Sequence, residues 1–380
     1  MRIILIGNYP PDKQESMERF AQMLAAGFSK EGHPAAIWRP IVFFGKWSKS
    51  TTTGSGKWLG YIDKWILFPI ILRLRLLKKK FRADNIHFHV CDHSNSFYLQ
   101  QLPASKTVIT CHDVLAIRGA LGYDDAYVGA SMAGKILQNW ILGNLTSARK
   151  LAAVSTMTYE QLNALDKHPA HHPKNWKVIH NAFNADFRPM PKEETAILLE
   201  RAGIGSVKPF LLHVGSGLPR KNRKLVIDML LALGNQWNGN ICFAGEELEE
   251  DLMRYARSLG LKDRVISVIH PDHVTLVALY SASAAFVFPS LSEGFGWPVI
   301  EAQACGVPVI ASSFNPLPEV SGGAALHADP IKPAEFANAF LSLQNKITRN
   351  ELIRKGFENS QRFDTSRMTL AYLDLHLSKF

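Results

Sequence analysis

At 380 residues with 47% hydrophobic side chains, the chain is long enough for two domains, each with its own core, and too short for a third of ordinary size. The net charge of +10 is unevenly placed: residues 1–180 carry 23 Lys and Arg against 12 Asp and Glu, whereas 181–380 carry 20 against 21. A basic first half predicts an anionic partner there, but its cations are not interleaved with a stacking platform and no RRM, zinc or helix-turn-helix pattern occurs, which argues against nucleic acid.

Arg2–Gly7 predicts a first strand. Its apolar part, Ile3–Ile6, is too short for a signal-peptide core, and Gly7-Asn8-Tyr9-Pro10-Pro11 is a loop, not a cleavage site. Met17, Phe20, Leu24 and Phe28 recur at helical spacing until Gly32 closes the helix. The loop between, Asn8 to Ser16, ends a strand and opens a helix, where N–H groups and the Ser16 hydroxyl suit an anion. Asn8 and Ser16 are therefore candidate loop ligands. Ala35–Arg39 is the next strand, followed by a polar loop at Ser48–Lys57.

The longest apolar run, Trp65–Leu77, holds Pro69, Arg73 and Arg75 and ends in Lys78-Lys79-Lys80; its 13 residues fall short of the roughly 20 that span a bilayer. Two readings stand. One is a domain helix with a solvated basic end. The other is a contact with an anionic membrane surface through Trp65 to Arg82, in which Lys64, Arg75, Lys78, Lys79 and Arg82 share one helical face bordered by Trp65 and Phe68. Ile86–Val90, Lys106–Thr110 and Leu151–Ser155 are further strands, with helices over 131–148 and 156–165. Thr110-Cys111-His112-Asp113 lies at a strand's carboxyl end, where open α/β sheets place ligands; His112 is either a site residue or a strand-end histidine bonded to backbone. His87, His89 and His93 cluster around a strand; alternation places His87 and His89 on one face without a convincing carboxylate partner, so a metal site is not expected and the three read as structural. The four cysteines, in apolar runs with no ligand spacing, read as reduced core thiols. These features predict a cytoplasmic protein, with a peripheral place on the inner face of the cell membrane if the second reading of Trp65–Arg82 holds.

Asn181–Glu194, with two prolines and mixed polarity, reads as a linker, and Phe210–Val214 starts a second sheet. The alternation of strands and helices predicts an α/β protein with mainly parallel sheets. After Phe210–Val214 come Gly215, Ser216 and a Gly/Pro loop, and then Arg220, Lys221, Arg223 and Lys224 crowd the start of a helix. Cations are unfavourable at a helix N-terminus unless an anion sits there; a diphosphate satisfies them, and a solvated basic turn is the alternative.

Ala284–Ser290 is a strand-length apolar run, Glu293-Gly294-Phe295-Gly296-Trp297 a tight loop, Pro298 a first helical residue, Gly306 with Pro308 a helix stop, and Val309–Ser312 the next strand. Glu293 and Glu301, with seven residues between them, therefore flank N–H groups at a helix N-terminus. The N–H groups suit phosphate and the carboxylates suit hydroxyls; a ligand that wants both is a nucleotide sugar. The alternative is a solvated Glu293 and a Glu301 that complements the helix dipole.

This E-x7-E frame resembles the signature of retaining glycosyltransferase family 4, whose GT-B architecture has two Rossmann-like domains facing a central cleft and a last helix returning to the first domain. The resemblance covers nearly the whole chain, including Val178-Ile179-His180-Asn181 at the domain crossing. It implies an acceptor-binding domain at 1–182, a nucleotide-sugar domain at 183–362 and a returning helix at 363–380. It implies that Glu293, with Phe295, Gly296 and Trp297, holds the donor sugar and that Glu301 binds the ribose. Lys221 and Arg220 then hold the donor phosphates beside Gly215 and Ser216, and His112 lies between sugar and acceptor. The chain departs from the family's pattern at three places. Ser216-Gly217 stand where many members carry an arginine, Gln14-Glu15-Ser16 replace a glycine pair, and His270-Pro271 replace a glycine in the base pocket around Ser267–His273, which leaves UDP, GDP and ADP open. With no D-x-D motif, no metal and no cofactor beyond the donor substrate are expected. The implied activity is a metal-independent retaining hexosyl transfer by a front-face mechanism. The expected acceptor is a cell-envelope or exopolysaccharide glycan on a lipid carrier; a soluble acceptor and a non-catalytic basic binding module are the alternatives.

Overall fold

The computed structural model describes residues 1–378 except 49, 52, 53, 55, 79, 80, 82, 128, 168–173 and 205–207. The chain forms two compact units: Met1–Tyr123, Val128–Asn184 and Thr365–Phe380 in the first, Asp124–Tyr127 and Ala185–Asp364 in the second.

The first unit holds a parallel sheet of β1 (Arg2–Ile6), β2 (Ala35–Trp38), β3 (Ile86–Val90), β4 (Thr107–Cys111), β5 (Lys150–Ala153) and β6 (Asn175–Val178), in the order β2-β1-β3-β4-β5-β6. Ile3 to Ile6 are wholly buried, because helices cover both faces and a continuous apolar run serves better than alternation. On one face the helix Glu15–Lys30 packs Phe20, Leu24 and Phe28 against Ile3 and Leu5, together with Met368, Tyr372 and Leu375 of the last helix, Thr365–Leu377. On the other, Phe68, Leu72, Ile141 and Leu145 close over Ile4, Ile6 and Phe88. The predicted strands are present to within two residues at their ends; β6, half polar and at the sheet edge, has no apolar run to announce it.

Of the histidines around β3, His89 is built into the packing, whereas His93 Nδ1 lies 3.4 Å from Asp92 Oδ1, a carboxylate partner its sequence neighbourhood did not suggest. His89 Nδ1 lies 3.3 Å from His376 Nε2, and His89 Nε2 lies 2.9 Å from Thr110 Oγ1, itself 3.0 Å from the Tyr372 hydroxyl. This chain ties the last helix to the sheet, and burial pushes the His89 pKa down to about 3. The four cysteines are buried and unpaired with one another.

The helical stretch before β3 corrects the predicted membrane face. Gly56–Ile62 runs through a π-helical turn, Asp63–Leu67, into Phe68–Leu77. Phe68 is buried in the core, Trp65 packs on it, Lys64 is paired with Asp12 at 2.7 Å, and Arg75 lies over the Trp38 ring. The outward side carries Ile66, Ile70, Leu74 and Leu77, each more than half exposed, with Arg73 and Lys78 exposed beside them. Apolar residues lie on both the buried and the exposed sides of the helix, so its periodicity could not tell which face the core takes. Lys78 is exposed at the C-cap of the helix, and Lys79 and Arg82 lie outside the described residues.

Asp63 is wholly buried and accepts from the Tyr9 hydroxyl (2.6 Å) and from the N–H groups of Phe43, Phe44 and Gly45 (2.9–3.0 Å). Burial alone lifts its carboxyl, and these four bonds outweigh it and hold the pKa below the usual carboxylate range.

The second unit holds β7 (Phe210–Gly215), β8 (Asn240–Gly245), β9 (Val265–Ile269), β10 (Ala285–Phe288), β11 (Val309–Ser312) and β12 (Leu326–Ala328), all parallel, in the order β12-β11-β10-β7-β8-β9. Its central layer is Leu211, Ile241, Val287 and Ile310 under Leu225, Met229, Leu233 and Phe336. A helix, Lys192–Arg201, begins inside the predicted linker.

Candidate functional site

Open α/β sheets bind ligands beyond the carboxyl ends of strands where the strand order reverses. In the second unit that point lies between β7 and β10, whose next strands lie on opposite sides. The loops leaving these two strands carry the residues singled out above.

After β7, Pro219–Lys221 forms one 3₁₀ turn and Asn222 takes a left-handed conformation (φ 55°). Its amide donates to Pro289 O (3.1 Å) and Pro330 O (2.7 Å), and Leu291 N donates to Arg220 O (2.8 Å). The two loops are thus sewn together, and their side chains meet. Lys221 Nζ is 2.6 Å from Glu293 Oε1; Arg220 Nη1 is 2.9 Å from Glu293 Oε2 and 3.0 Å from Ser292 O. Glu293 is 6% exposed, so this is a buried ion triad and not a solvated loop residue. Burial alone raises the Glu293 carboxyl, but the Lys221 ammonium and Arg220 guanidinium outweigh it and hold the pKa below the usual range.

Two of the four predicted phosphate cations are otherwise engaged. Arg223 is buried and donates to Gly215 O (2.7 Å), Glu246 O (2.9 Å) and Glu247 O (3.1 Å), and it pairs with Glu249. Lys224 pairs with Asp228 at 2.8 Å and reaches the Tyr255 hydroxyl at 2.9 Å. The left-handed Asn222 separates the two pairs: Arg220 and Lys221 lie in the 3₁₀ turn, while Arg223 and Lys224 begin the helix and point elsewhere. Glu246 Oε2 accepts from Gly217 N at 2.8 Å, so Gly215, Ser216 and Gly217 form a loop braced by Arg223 and Glu246. That bracing was invisible in sequence because its partners come from the loop after β8.

After β10, the helix Trp297–Ala304 starts at Gly296, whose φ of 102° and neighbour Leu317, 2.6 Å from where a Cβ would stand, admit only glycine. Phe295 is buried beside Trp297 and Phe363. Glu301 is 8% exposed and its Oε2 accepts from the Tyr280 hydroxyl at 2.9 Å. Tyr280, missed in the sequence, carries no motif; it is a helix residue made relevant by a partner 21 positions away.

In the first unit the strand order reverses between β1 and β3. There Asn8 donates to Asp92 Oδ2 (2.6 Å) and to Gln14, while Asn95 donates to Asn8 Oδ1 (2.8 Å). Asp92 also accepts from Ser94 N at 2.9 Å. Asp92 and Asn95 were not singled out from sequence, although their position just past β3 was the available signal. At the end of β4, His112 Nε2–H donates to Cys91 O at 2.9 Å, and its ring stands edge-on to Phe20. The backbone bond named above as the alternative is present and fixes the ring. Burial pushes the His112 pKa down, against the opposing Asp92 charge. Ser16 is exposed in the first turn of Glu15–Lys30, and the Gln14 N-cap makes no side-chain bond. An open cavity of about 690 Å³ lies over Asn8, Tyr9, Lys13, Gln14, Glu18 and Arg39. Among the described residues no group of three or more His, Cys, Asp or Glu side chains is placed to hold a metal ion.

Two parallel six-stranded sheets, each with its polar residues gathered past the point of strand reversal, define an α/β protein of the GT-B fold, and the chain is a glycosyltransferase. Residues 197–359 match the family of glycosyl transferases group 1. The chain is 26% identical over 328 residues to O-antigen chain mannosyltransferase B of Escherichia coli, covering 85% of this chain and 83% of that one. Among solved structures it is similar to a sucrose-phosphate synthase from Thermosynechococcus elongatus, with a TM-score of 0.75 at 18% identity, covering 99% and 98% of the two chains. It is also similar to WaaG, a glycosyltransferase involved in lipopolysaccharide biosynthesis, with a TM-score of 0.72 at 16% identity over the full length of both.

Proposed function

We propose that the protein transfers a sugar, with retention and without a metal, from a nucleotide-diphosphate sugar to a cell-envelope glycan on a lipid carrier. The observation that carries this is the buried Lys221–Glu293–Arg220 triad at the β7/β10 reversal, beside the Gly296 helix start and Glu301. In this reading Glu301 takes the ribose hydroxyls, and Lys221 and Arg220 neutralise the departing diphosphate in place of a metal. Glu293 aims both cations and meets the sugar. The bond from the anomeric carbon to the phosphate oxygen breaks, the acceptor oxygen bonds to the same face, and the departing phosphate takes the acceptor proton. The protein's part is positioning and electrostatics.

The mannosyltransferase relative supports a mannosyl donor as the first to test, and its O-antigen role supports a lipid-linked acceptor. The acceptor is assigned to the first unit, where Asn8, Asp92, Asn95 and His112 converge and the charge is most positive. The stripe Ile66, Ile70, Leu74 and Leu77 supports a peripheral place on a membrane, since an apolar helix face needs cover.

The test is transfer of labelled sugar from GDP-mannose, with UDP-glucose beside it, into an organic-extractable lipid fraction in the presence of EDTA. Incorporation with an anomeric configuration equal to the donor's supports the proposal. Label found only in water-soluble product removes the lipid carrier, and loss of incorporation in EDTA removes metal independence. Neither donor being used by a folded protein that also binds no nucleoside diphosphate at the second unit removes the donor site.

A further inference from the structure

In the first unit a groove of about 430 Å³ runs between the Gly56–Leu67 stretch and the helix Met132–Thr146, walled by Trp58, Tyr61, Trp65, Ile136, Leu137 and Trp140. It is a built surface. Tyr61 stacks on Trp65 with ring centroids 3.9 Å apart, Trp65 stands edge-on to Trp140, and Trp140 stacks on Phe97 of the core at 5.0 Å. The inner wall is thereby fixed by packing, while Trp58 and Ile136 at the mouth are 64% and 70% exposed.

The groove's chemistry decides between a sugar and a hydrocarbon. Binding a sugar ring takes several convergent donors and acceptors, and among the described residues no carboxylate or amide side chain lines this groove. Beyond the Tyr61 hydroxyl and the indole N–H groups, its polar side chains are Lys57 and Ser131, and Ser131 Oγ already caps a helix by accepting from Gly134 N at 3.2 Å. Two ammonium groups approach the Tyr61 ring, Lys64 Nζ at 5.0 Å and Lys57 Nζ at 5.4 Å from its centroid. Lys64 is held by Asp12, whereas Lys57 makes no ion pair among the described residues. An aromatic slot with one uncommitted cation at its rim complements an amphiphile with an anionic head and a flat, branched hydrocarbon chain.

We infer that this groove seats the first isoprene units of a prenyl phosphate, with Lys57 on the phosphate, and so anchors the lipid carrier of the acceptor. Planar trisubstituted double bonds lie face-on to indole and phenol rings in a way a straight acyl chain cannot, which is why the occupant is prenyl. The inference rests on the lipid-linked acceptor proposed above and adds the place and chemistry of its chain.

The experiment is calorimetric titration of the full chain with farnesyl phosphate below its micelle concentration, with dodecyl phosphate and methyl phosphate as controls. Saturable one-to-one binding of farnesyl phosphate is expected, at least about tenfold weaker in the double variant W58S/I136N, and about tenfold weaker for dodecyl phosphate. Lys57→Glu should weaken farnesyl phosphate but leave farnesol unchanged. Both groove positions are at the surface, so an unchanged melting temperature and unchanged nucleoside diphosphate binding at the second unit certify the variants. No saturable binding, or equal binding by W58S/I136N, overturns the groove; equal binding of dodecyl phosphate overturns the prenyl assignment. If sugar is incorporated into lipid yet farnesyl phosphate does not bind, this inference alone falls. If farnesyl phosphate binds as described yet label reaches only water-soluble product, the lipid-linked acceptor falls and the groove is a prenyl phosphate site of another purpose.

Discussion

Replacing Glu293 by Gln tests the triad at the β7/β10 reversal directly. The substitution keeps the side chain's shape and one acceptor but removes the carboxylate that pairs with both Lys221 Nζ (2.6 Å) and Arg220 Nη1 (2.9 Å), whose side chains are 12% and 19% exposed. Breaking a buried ion pair costs about 3–5 kcal/mol because the stranded charge remains buried. Here Gln keeps one of the bonds and Arg220 still reaches Ser292 O, so the loss should lie near the low end, about 3 kcal/mol. For a unit of this size that is a fall of roughly 6–12 °C in melting temperature. The assay belongs at pH 7: the folded pKa of Glu293 is depressed, so its contribution is complete above the unfolded value near 4.5 and is lost as pH falls through the folded value. A nucleoside diphosphate should then rescue the variant more than the wild type, because its charge takes the place the carboxylate left. In the wild type a hundredfold excess over the dissociation constant stabilises by about 2.7 kcal/mol, and the variant should gain at least as much at the same concentration. Transfer should nonetheless fall about tenfold to a hundredfold, since Lys221 loses the group that aims it. A melting temperature within about 2 °C of wild type, with diphosphate affinity unchanged, would refute the account.

Glu301→Gln should weaken nucleotide binding about tenfold by equilibrium dialysis, the loss of one charged hydrogen bond, while Tyr280 keeps a neutral acceptor and the fold holds; unaltered affinity would remove Glu301 from the donor site. Acid should destabilise both units. His89 in the first and His213 in the second are buried with pKa values pushed down to about 3, so the unfolded chain takes up protons first, below about 6.5, and each histidine costs about 1.4 kcal/mol per pH unit from there towards 3. Urea midpoints should therefore fall between pH 7.5 and pH 5, and equal midpoints would mean these rings are not held neutral. Asp63→Ala leaves the Tyr9 hydroxyl and three N–H groups without their acceptor, so a loss of about 3 kcal/mol and faster proteolysis within residues 41–47 are expected; wild-type resistance to protease would show that the carboxylate does not hold that loop.

Much of the fold was legible because it is written locally. A strand buried on both faces must be apolar throughout, so β1, β3, β10 and β11 stand out as short unbroken runs. A glycine that must take positive φ before a helix, as Gly296 does, leaves a mark in the sequence too. The site's halves were legible for the same reason: Glu293 to Glu301 is one loop and helix, and Pro219 to Lys221 is one turn. What failed depended on direction. Arg223 and Lys224 looked like phosphate ligands because four cations are adjacent in sequence, yet one left-handed residue sends them to Gly215 O and Asp228. For Trp65–Leu77 the sequence left two readings open, and of the face drawn for the second only the basic residues could be read, since apolar residues lie on both its buried and its exposed sides.

By itself the sequence determined that there are two α/β units, where their main strands lie, and which loops carry carboxylates and which carry cations. Only the tertiary structure decided that Lys221 meets Glu293 across 72 positions, that Tyr280 meets Glu301, that Asp92 joins Asn8 across 84, and that the last helix is tied through His376 to β3. The reason is the order of the strands. Sequence periodicity reports what a segment does with its own neighbours, whereas the reversal that sets β7 beside β10, and β1 beside β3, brings together loops whose residues have no periodic relation to one another.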